Sequence, residues 1–254
     1  MHDSMNWRLH EQAQYDGSDP KAEKSSEERV ALDMVDGTVY PSEDCRKITM
    51  ARYPFLGSKP NTVLWPFVNE QFLLYHSSDY TGGVVYEGRA DERGKERIWD
   101  YCKYHDLAHD FKEVGIPFWI YTGWRSNAHV KEYAEAFTHP SLEYPKIFPA
   151  MGCHDWGLCG NKAVFTEWNL AMPNKLFEYI ASGIPVVAMN AKNAGKFVEK
   201  EGFGINVSNV QELKDRWDER GPCQKNVLLR RSEFTMEKNI HVVENVLEQL
   251  LRHP

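Results

Sequence analysis

This 254-residue chain has no long hydrophobic run, few cysteines and no excess of positive charge. Without a run of about 20 apolar residues it offers no candidate transmembrane helix, and its first residues, Met-His-Asp-Ser-Met-Asn-Trp, lack the apolar core of a signal peptide. A formal net charge of −7 argues against a partner held mainly through nucleic-acid phosphates. We therefore expect a cytoplasmic protein with no nucleic-acid partner, which could act peripherally at a membrane.

The five cysteines are odd in number and scattered, so they do not indicate a disulfide framework. Cys153, His154 and Cys159 lie close in sequence, but no Cys-x-x-Cys pair accompanies them, and reduced thiols explain them better than a metal site. A Gly-x-Gly-x-x-Gly fingerprint after a first strand and a P-loop are also absent. These absences disfavour a dinucleotide oxidoreductase, and the sequence predicts no metal.

Alternating signals for strands and helices run along most of the chain. Short apolar runs predict strands, and amphipathic stretches between them predict helices. The predicted strands cover 38–41, 61–67, 84–89, 117–123, 184–189 and 205–207, and the predicted helices include 42–53, 91–115, 128–137 and 194–200. This order predicts an α/β fold with a Rossmann-like, doubly wound parallel sheet, whose ligands bind outside the carboxyl ends of the strands.

The segment from Met172 to Met189 predicts a short helix, a glycine stop and a buried strand. Pro173 suits the first position of a helix, where a missing N–H costs nothing. Gly183 suits the left-handed residue after a helix end, and 184–189 is apolar apart from one proline. No Ser, Thr or Asp stands just before Pro173, so the first amides of this helix have no evident side-chain partner.

Two polar residues of this predicted helix, Lys175 and Glu178, lie three positions apart and share one face. An uncapped helix N-terminus beside a lysine suits an anion, and a carboxylate one turn further on can accept two hydrogen bonds from a sugar diol. Together they describe a site for a phosphate and its ribose. An ordinary surface Lys–Glu pair, worth roughly 0.2–0.5 kcal/mol, is the alternative that the residues alone leave open.

The run Pro-Asn-Lys-Leu-Phe-Glu-Tyr-Ile-Ala-Ser-Gly-Ile-Pro-Val-Val resembles the donor-site segment of GT-B glycosyltransferases. The resemblance is greatest to the large retaining family (glycosyltransferase family 4, group 1-like), which includes many bacterial polysaccharide enzymes. It implies that Glu178 binds the ribose of a nucleotide sugar and that Lys175 and Asn174 lie near its diphosphate. The donor loop is then formed by Leu170, Ala171, Met172 and Pro173.

The chain departs from this family at one position of the donor loop. Many members carry a second glutamate, eight residues before the ribose-binding one, which contacts the donor sugar. Here that position is Leu170, and the nearby Glu167 is out of register. The paired-glutamate motif is therefore incomplete, and the resemblance does not assign the residue that recognises the donor sugar.

Gly88 and Arg89 follow the first predicted strand of the second half of the chain. In the family a Gly-Arg pair at this place, with a later lysine such as Lys95, neutralises the diphosphate leaving group. A solvated basic helix start is the other interpretation of Arg89. We interpret the neighbouring Tyr86 and Glu87 as ordinary strand residues.

Four more residues are weaker candidates. Gly123 and Arg125 lie at a predicted strand end, where they could contact the base or a phosphate. Asp155 opens an Asp-x-Gly-Leu pattern that resembles the family, although an aspartate also suits a structural turn cap. His2 resembles the histidine of a His-Asp pair in the family's N-terminal domain and is the one weak catalytic candidate. A mobile terminus is the alternative for it.

The resemblance divides the chain into four parts. A truncated N-terminal, acceptor-side part (1–70) leads through a linker (71–81) into the nucleotide-sugar-binding domain (82–234), and a C-terminal helix (235–254) packs back towards the first part. The first part is a partial α/β domain, because the start of the family's N-terminal domain is missing. A partner chain or a homodimer would therefore complete it.

The function implied by the resemblance is sugar transfer. The donor would be a UDP-, GDP- or ADP-sugar, and the acceptor would be a hydroxyl of a glycan or a lipid-linked glycan. The family implies anomeric retention and no metal, and it needs no cofactor besides the nucleotide-sugar substrate. The alternative, from another class, is a non-catalytic nucleotide-sugar-binding module or one subunit of a split glycosyltransferase.

Overall fold

The computed structural model describes residues 22–73, 79–90, 103–122, 135–140, 142–170 and 172–252. The strands in these ranges are β1 (Thr38–Tyr40), β2 (Asn61–Val63), β3 (Val84–Gly88), β4 (Phe118–Thr122), β5 (Phe137–His139), β6 (Trp156–Gly160), β7 (Val186–Met189) and β8 (Gly204–Val207). β1 and β2 form a small parallel sheet. The other six form one parallel sheet in the order β5-β4-β3-β6-β7-β8.

The helices alternate with these strands, as the sequence predicts. They are α1 (Ala22–Met34), α2 (Glu43–Arg52), α3 (His105–Val114), α4 (Tyr144–Met151), α5 (Thr166–Leu170), α6 (Asn174–Ala181), α7 (Lys192–Glu201), α8 (Val210–Asp215), α9 (Arg220–Arg230), α10 (Met236–Asn239) and α11 (His241–Arg252). None of these described helices combines the length and the apolar composition that crossing a bilayer requires.

Both faces of the six-stranded sheet are buried, which confirms the doubly wound α/β prediction. Val84 and Val85 are neighbours in β3, and both are fully buried, but they belong to different hydrophobic layers. One layer includes α4, α6 and α7, and the other includes α3 and α8. Apolar residues therefore fill the central strands without the polar alternation of a one-sided sheet.

The chain changes direction within this sheet between β3 and β6. From β3 it proceeds outwards to β4 and β5, and it then returns to the other side of β3 for β6, β7 and β8. The crevice between the carboxyl ends of β3 and β6 is the usual place for a ligand in such a fold. The N-terminus of α6 lies there, because α6 follows β6 after the short helix α5.

The small sheet packs against the C-terminal helix. β1 runs into α2, whose first turn is capped by the Ser42 hydroxyl, which accepts a hydrogen bond from the Cys45 amide at 3.0 Å. Gly37 precedes β1, and a Cβ placed there would lie 3.2 Å from Cγ1 of Val246 and 3.4 Å from Cδ1 of Leu250. Helix α11 therefore covers the start of β1 closely.

Three predicted boundaries differ from the structure. The strand predicted for 61–67 ends at Val63, because Trp65 and Phe67 pack against α6 instead of pairing with a strand. The prediction of a helix over 128–137 is wrong at its last residue, because Phe137 begins β5. Residues 128–134 of this prediction lie outside the described residues. Helix α6 begins at Asn174, one residue later than predicted, with Pro173 extended as its N-cap.

Candidate functional site

Helix α6 is fixed to the sheet at the switch point by one buried tyrosine. The Tyr179 hydroxyl accepts a hydrogen bond from the Glu87 amide at 3.0 Å and donates to the Leu158 carbonyl at 3.3 Å. A Cβ at Gly157 would collide with the Tyr179 ring, so the glycine of β6 leaves the space that this ring occupies. These contacts join α6 to β3 and β6 at the edge where ligands bind.

The first turn of α6 presents uncapped amides. Pro173 is its N-cap, with φ −73° and ψ 145°, and no side chain accepts a hydrogen bond from the first turn. The helix ends at Ala181 with Ser182 as its C-cap, and Gly183 follows with φ +82°, as the sequence predicts. An α-helix N-terminus of this kind carries partial positive charge and donor groups that suit an anion.

The Lys175 ammonium lies at the carboxyl end of β3, between two aromatic rings. Its Nζ is 5.1 Å from the ring centre of Tyr86 and 5.1 Å from that of Trp168. These cation–π contacts hold the charge in place without neutralising it. Gly88 ends β3 with φ +123°, and a Cβ there would lie 3.5 Å from Lys175 Nζ. A larger residue at this position would approach the ammonium.

Glu178 lies one turn into α6 and is buried, with 7% of its surface exposed. Burial is the main cause that raises the pKa of Glu178, to about 8, and the nearby carboxyl group of Glu87 acts in the same direction, while Lys175 and Tyr144 act in the opposite direction. The Glu178 carboxyl group is therefore largely protonated at neutral pH.

Glu87 was interpreted from the sequence as an ordinary strand residue, but the structure places it beside Glu178. It is a charged residue at the end of an otherwise apolar strand, directly before the positive-φ glycine Gly88. A charged side chain at the carboxyl end of a parallel strand is a signal for a ligand site. The sequence alone shows this charged strand end. It does not show that Glu87 lies near Glu178, because that depends on the order of the strands in the sheet.

The structure brings together part of the predicted site. Gly88, Arg89, Asn174, Lys175 and Glu178 all lie on β3, α6 or the residues next to them at the switch point. Arg89 is exposed, and its carbonyl accepts a hydrogen bond from the Tyr86 hydroxyl at 2.8 Å. Asn174 is exposed in the first turn of α6. His2, Gly123, Arg125 and Ala171 lie outside the described residues.

Asp155 does not belong to this cluster. It precedes β6 and therefore lies at the amino ends of the strands, opposite the edge that carries Gly88. Its carboxylate accepts hydrogen bonds from the Gly83 amide and the Tyr80 hydroxyl, both at 2.7 Å, and pairs with Arg220 at 3.2 Å. Because all these contacts join parts of the protein, Asp155 is a structural residue.

The donor loop contacts the small sheet. The Leu170 carbonyl accepts hydrogen bonds from the Ser42 hydroxyl at 3.0 Å and from the Asn193 amide at 3.1 Å. The Leu170 side chain packs against the cluster of Tyr40 and Cys45, while Met172 is buried in the main core. The position eight residues before Glu178 is therefore occupied by a residue that joins two parts of the chain.

Four of the five cysteines lie within the described residues. None of Cys45, Cys153, Cys159 and Cys223 is in a disulfide. His154 is fully buried between the Gly82 carbonyl and the Tyr121 hydroxyl, and burial lowers its pKa. Within the described ranges, no group of three or more His, Cys, Asp or Glu side chains is arranged to hold a metal ion.

Comparison with known families gives an independent assignment. The family described as "Glucosyltransferase 3-like, C-terminal domain" matches residues 102–233, which is more than half of the chain and includes α6 and the strands β4 to β8 of the six-stranded sheet. No protein with a curated description matches the chain significantly.

Solved structures with the same fold are glycosyltransferases or related synthases. Sucrose-phosphate synthase from Thermosynechococcus elongatus is 14% identical, with a TM-score of 0.64 over 89% of this chain and 61% of that chain. A glycosyltransferase from Rickettsia africae is 13% identical, with a TM-score of 0.62 over 85% of this chain and 64% of its own. Anabaena Alr3699/HepE, solved with UDP, is 14% identical, with a TM-score of 0.56 over 88% and 66%.

This chain spans less than two thirds of the length of those three proteins. At these identities the likeness establishes the fold, and the family match establishes the relationship. The parallel sheet, the switch-point helix α6 and the match over 102–233 lead to one assignment. The chain has a GT-B glycosyltransferase fold and belongs to the glucosyltransferase 3-like family, whose C-terminal domain it contains.

Proposed function

We propose that this chain binds the donor of a glycosyltransferase reaction, in which a sugar passes from a nucleoside diphosphate sugar to an acceptor hydroxyl. The observation that carries the proposal is the switch-point cluster of an uncapped helix start, Lys175 and the buried Glu178. The alternative of a surface Lys–Glu pair does not account for a glutamate that is only 7% exposed.

The diphosphate would lie at the N-terminus of α6. There the first amides of the helix, the Asn174 side chain, Lys175 and Arg89 meet the negative charge that develops on the leaving group. Each charge-assisted hydrogen bond of this kind contributes roughly 1.5–3 kcal/mol. The proposal includes two properties of the reaction: it needs no metal, and it retains the anomeric configuration. The resemblance to the retaining family supports both.

The ribose would lie one turn further along, at Glu178. Three residues of helix advance by about 4.5 Å, which suits the step from a phosphate to the neighbouring sugar diol. A carboxylate accepts both hydroxyl hydrogens of a diol with its two oxygens. Glu178 therefore anchors the nucleotide and takes no part in bond making.

The acceptor and the catalytic base would come from outside the donor domain. In the part of the chain that the structure describes, the small sheet consists of β1 and β2, and the chain spans 61–66% of the three proteins compared above. A partner chain, a second copy or a longer form of this protein would supply the remaining strands and a glycan or lipid-linked acceptor site. A binding subunit without activity of its own is the second candidate, favoured by Leu170 in place of a sugar-contacting glutamate.

Calorimetric titration with UDP, GDP, ADP and CMP tests the site, and UDP comes first because the Anabaena protein was solved with it. We expect one nucleotide to bind and Lys175→Ala and Glu178→Ala to weaken it by about tenfold or more each, since each removes one charge-assisted contact. Lys225→Ala and Glu248→Ala are matched controls, because both side chains are exposed on distant helices. Equal nucleotide affinity in all four variants would contradict the assignment of Lys175 and Glu178 to the binding site.

A further inference from the structure

The ammonium group of Lys175 lies between aromatic rings from two different elements. Trp168 is on α5, in the segment that leads into α6, and Tyr86 is on β3. The Lys175 Nζ is 5.1 Å from the centre of each ring. The sequence does not predict Trp168 as a site residue, and the proposed function leaves it without a role. Because its ring faces the lysine that would hold the diphosphate, Trp168 can affect the ligand through that lysine.

Both rings are held by the protein and give the lysine two fixed surfaces. Trp168 has 5% of its surface exposed and belongs to the hydrophobic layer that includes α4, α6 and α7. The Tyr86 hydroxyl donates a hydrogen bond to the Arg89 carbonyl at 2.8 Å, and the Tyr86 ring lies 4.0 Å from that of Tyr104. The flexible four-carbon side chain of Lys175 therefore lies between two groups that are themselves packed in place.

Helix α5, which carries the tryptophan, is anchored at its carboxyl end to α2 and α7. The Leu170 carbonyl accepts hydrogen bonds from the Ser42 hydroxyl and the Asn193 side-chain amide. The side-chain oxygen of Asn169 accepts a further hydrogen bond from the backbone amide of Lys192 at 3.3 Å. These bonds fix the position of α5 and, with it, the ring that faces the lysine.

We propose that Trp168 is a positioning residue for donor binding, which keeps the Lys175 ammonium at the carboxyl end of β3, where the diphosphate would lie. The inference rests on the proposed function, because Lys175 acts on the diphosphate of the nucleotide. A lysine that is already held before the ligand arrives loses less side-chain entropy on binding. The aromatic faces attract the ammonium without neutralising it, so its charge stays available to an anion.

A tryptophan that only fills the core is the alternative interpretation of the same packing. In that case a smaller side chain at position 168 disturbs the site in the same way whichever residue stands at position 175. The positioning role requires instead that the effect on the nucleotide passes through the ammonium group. The two interpretations differ in a double-mutant cycle, because the effects of two residues that act through each other are not additive.

The cycle combines Trp168→Leu with Lys175→Met, which keeps an unbranched side chain and removes the charge. Calorimetry with UDP, GDP and ADP measures affinity, and urea unfolding identifies the variants that fold. We expect Trp168→Leu to weaken the nucleotide that binds by about threefold to tenfold, the cost of ordering one long side chain. In the Lys175→Met protein the same change should alter affinity by less than about twofold. Trp168→Phe keeps an aromatic face and should stay within about twofold of the wild type.

Trp217→Leu is the matched control and should leave affinity unchanged, because that tryptophan packs on Trp156 in the other hydrophobic layer. If Trp168→Leu does not fold, Trp168→Met takes its place in the cycle, since methionine fills irregular space and offers no aromatic face.

Three results would overturn this inference alone: equal losses of affinity in the wild-type and Lys175→Met proteins, no loss in either, or a loss in Trp168→Phe as large as that in Trp168→Leu. If none of the three nucleotides bound the folded wild type, the proposed function would be overturned with it.

Discussion

Glu178 should make this protein less stable as the pH rises, and Glu178→Gln should remove that dependence. The pKa of Glu178 is about 8 in the folded protein, above its ordinary value of 4.5. Between these values the folded state binds more protons than the unfolded state, so the free energy of unfolding falls with rising pH. Glutamine keeps the shape, and its amide can donate to Glu87 as the protonated acid does.

The size of the effect follows from the same two pKa values. One proton bound only by the folded state gives a slope of about 1.4 kcal/mol per pH unit. From pH 5.5 to pH 7.5, within the range set by the two values, Glu178→Gln should therefore gain on the order of 2 kcal/mol relative to the wild type. His154, whose pKa is lowered by burial, changes both proteins equally and cancels in this difference.

Urea unfolding followed by tryptophan fluorescence at several pH values measures the difference, and the chain has eight tryptophans to report it. Glu113→Gln serves as the control, because that side chain is exposed on α3 and its replacement should leave the wild-type slope unchanged. A Glu178→Gln variant whose stability changes with pH by the same amount as that of the wild type would refute the protonated, buried carboxyl group.

Two further predictions separate folding from binding. Gly157→Ala should destabilise the protein by about 1–3 kcal/mol, since the added methyl group would collide with the Tyr179 ring; urea unfolding measures this loss, and an unchanged midpoint would contradict the packing. Asp155→Ala should cost about 3 kcal/mol, because it leaves the Gly83 amide and Arg220 without their buried partner. The nucleotide affinity of the folded Asp155→Ala variant should equal that of the wild type. A large loss of affinity would show that Asp155 belongs to the nucleotide site.

The sequence predicts the central segment well because its signals are local. Gly183 marks the end of α6 through its positive φ, and the apolar run that follows becomes β7 with every residue buried. The spacing of Lys175 and Glu178 is likewise a property of one helix. Such features depend only on residues close together in the sequence. The regular alternation of predicted helices and strands then restricts the fold to a few topologies.

The residues that sequence reasoning misplaced depend on contacts between distant segments. Glu87 meets Glu178 only because α6 packs beside β3 at the switch point, and no local pattern encodes that pairing. Asp155 and Gly157 share one short motif, but the motif does not tell which end of β6 faces the ligand. The parallel register of β3 and β6 decides this and places Asp155 at the far edge.

The hydrogen bond between Ser42 and Leu170 joins the loop before α6 to the helix that follows the small sheet. Ser42 begins α2 at the end of β1, and its hydroxyl reaches the Leu170 carbonyl, two residues before Met172 in the loop. Among the described residues this sheet has two strands, and two strands bury little apolar surface by themselves. The contacts of Ser42 and of the Leu170 side chain with their neighbours therefore stabilise both the small sheet and the loop that leads into α6.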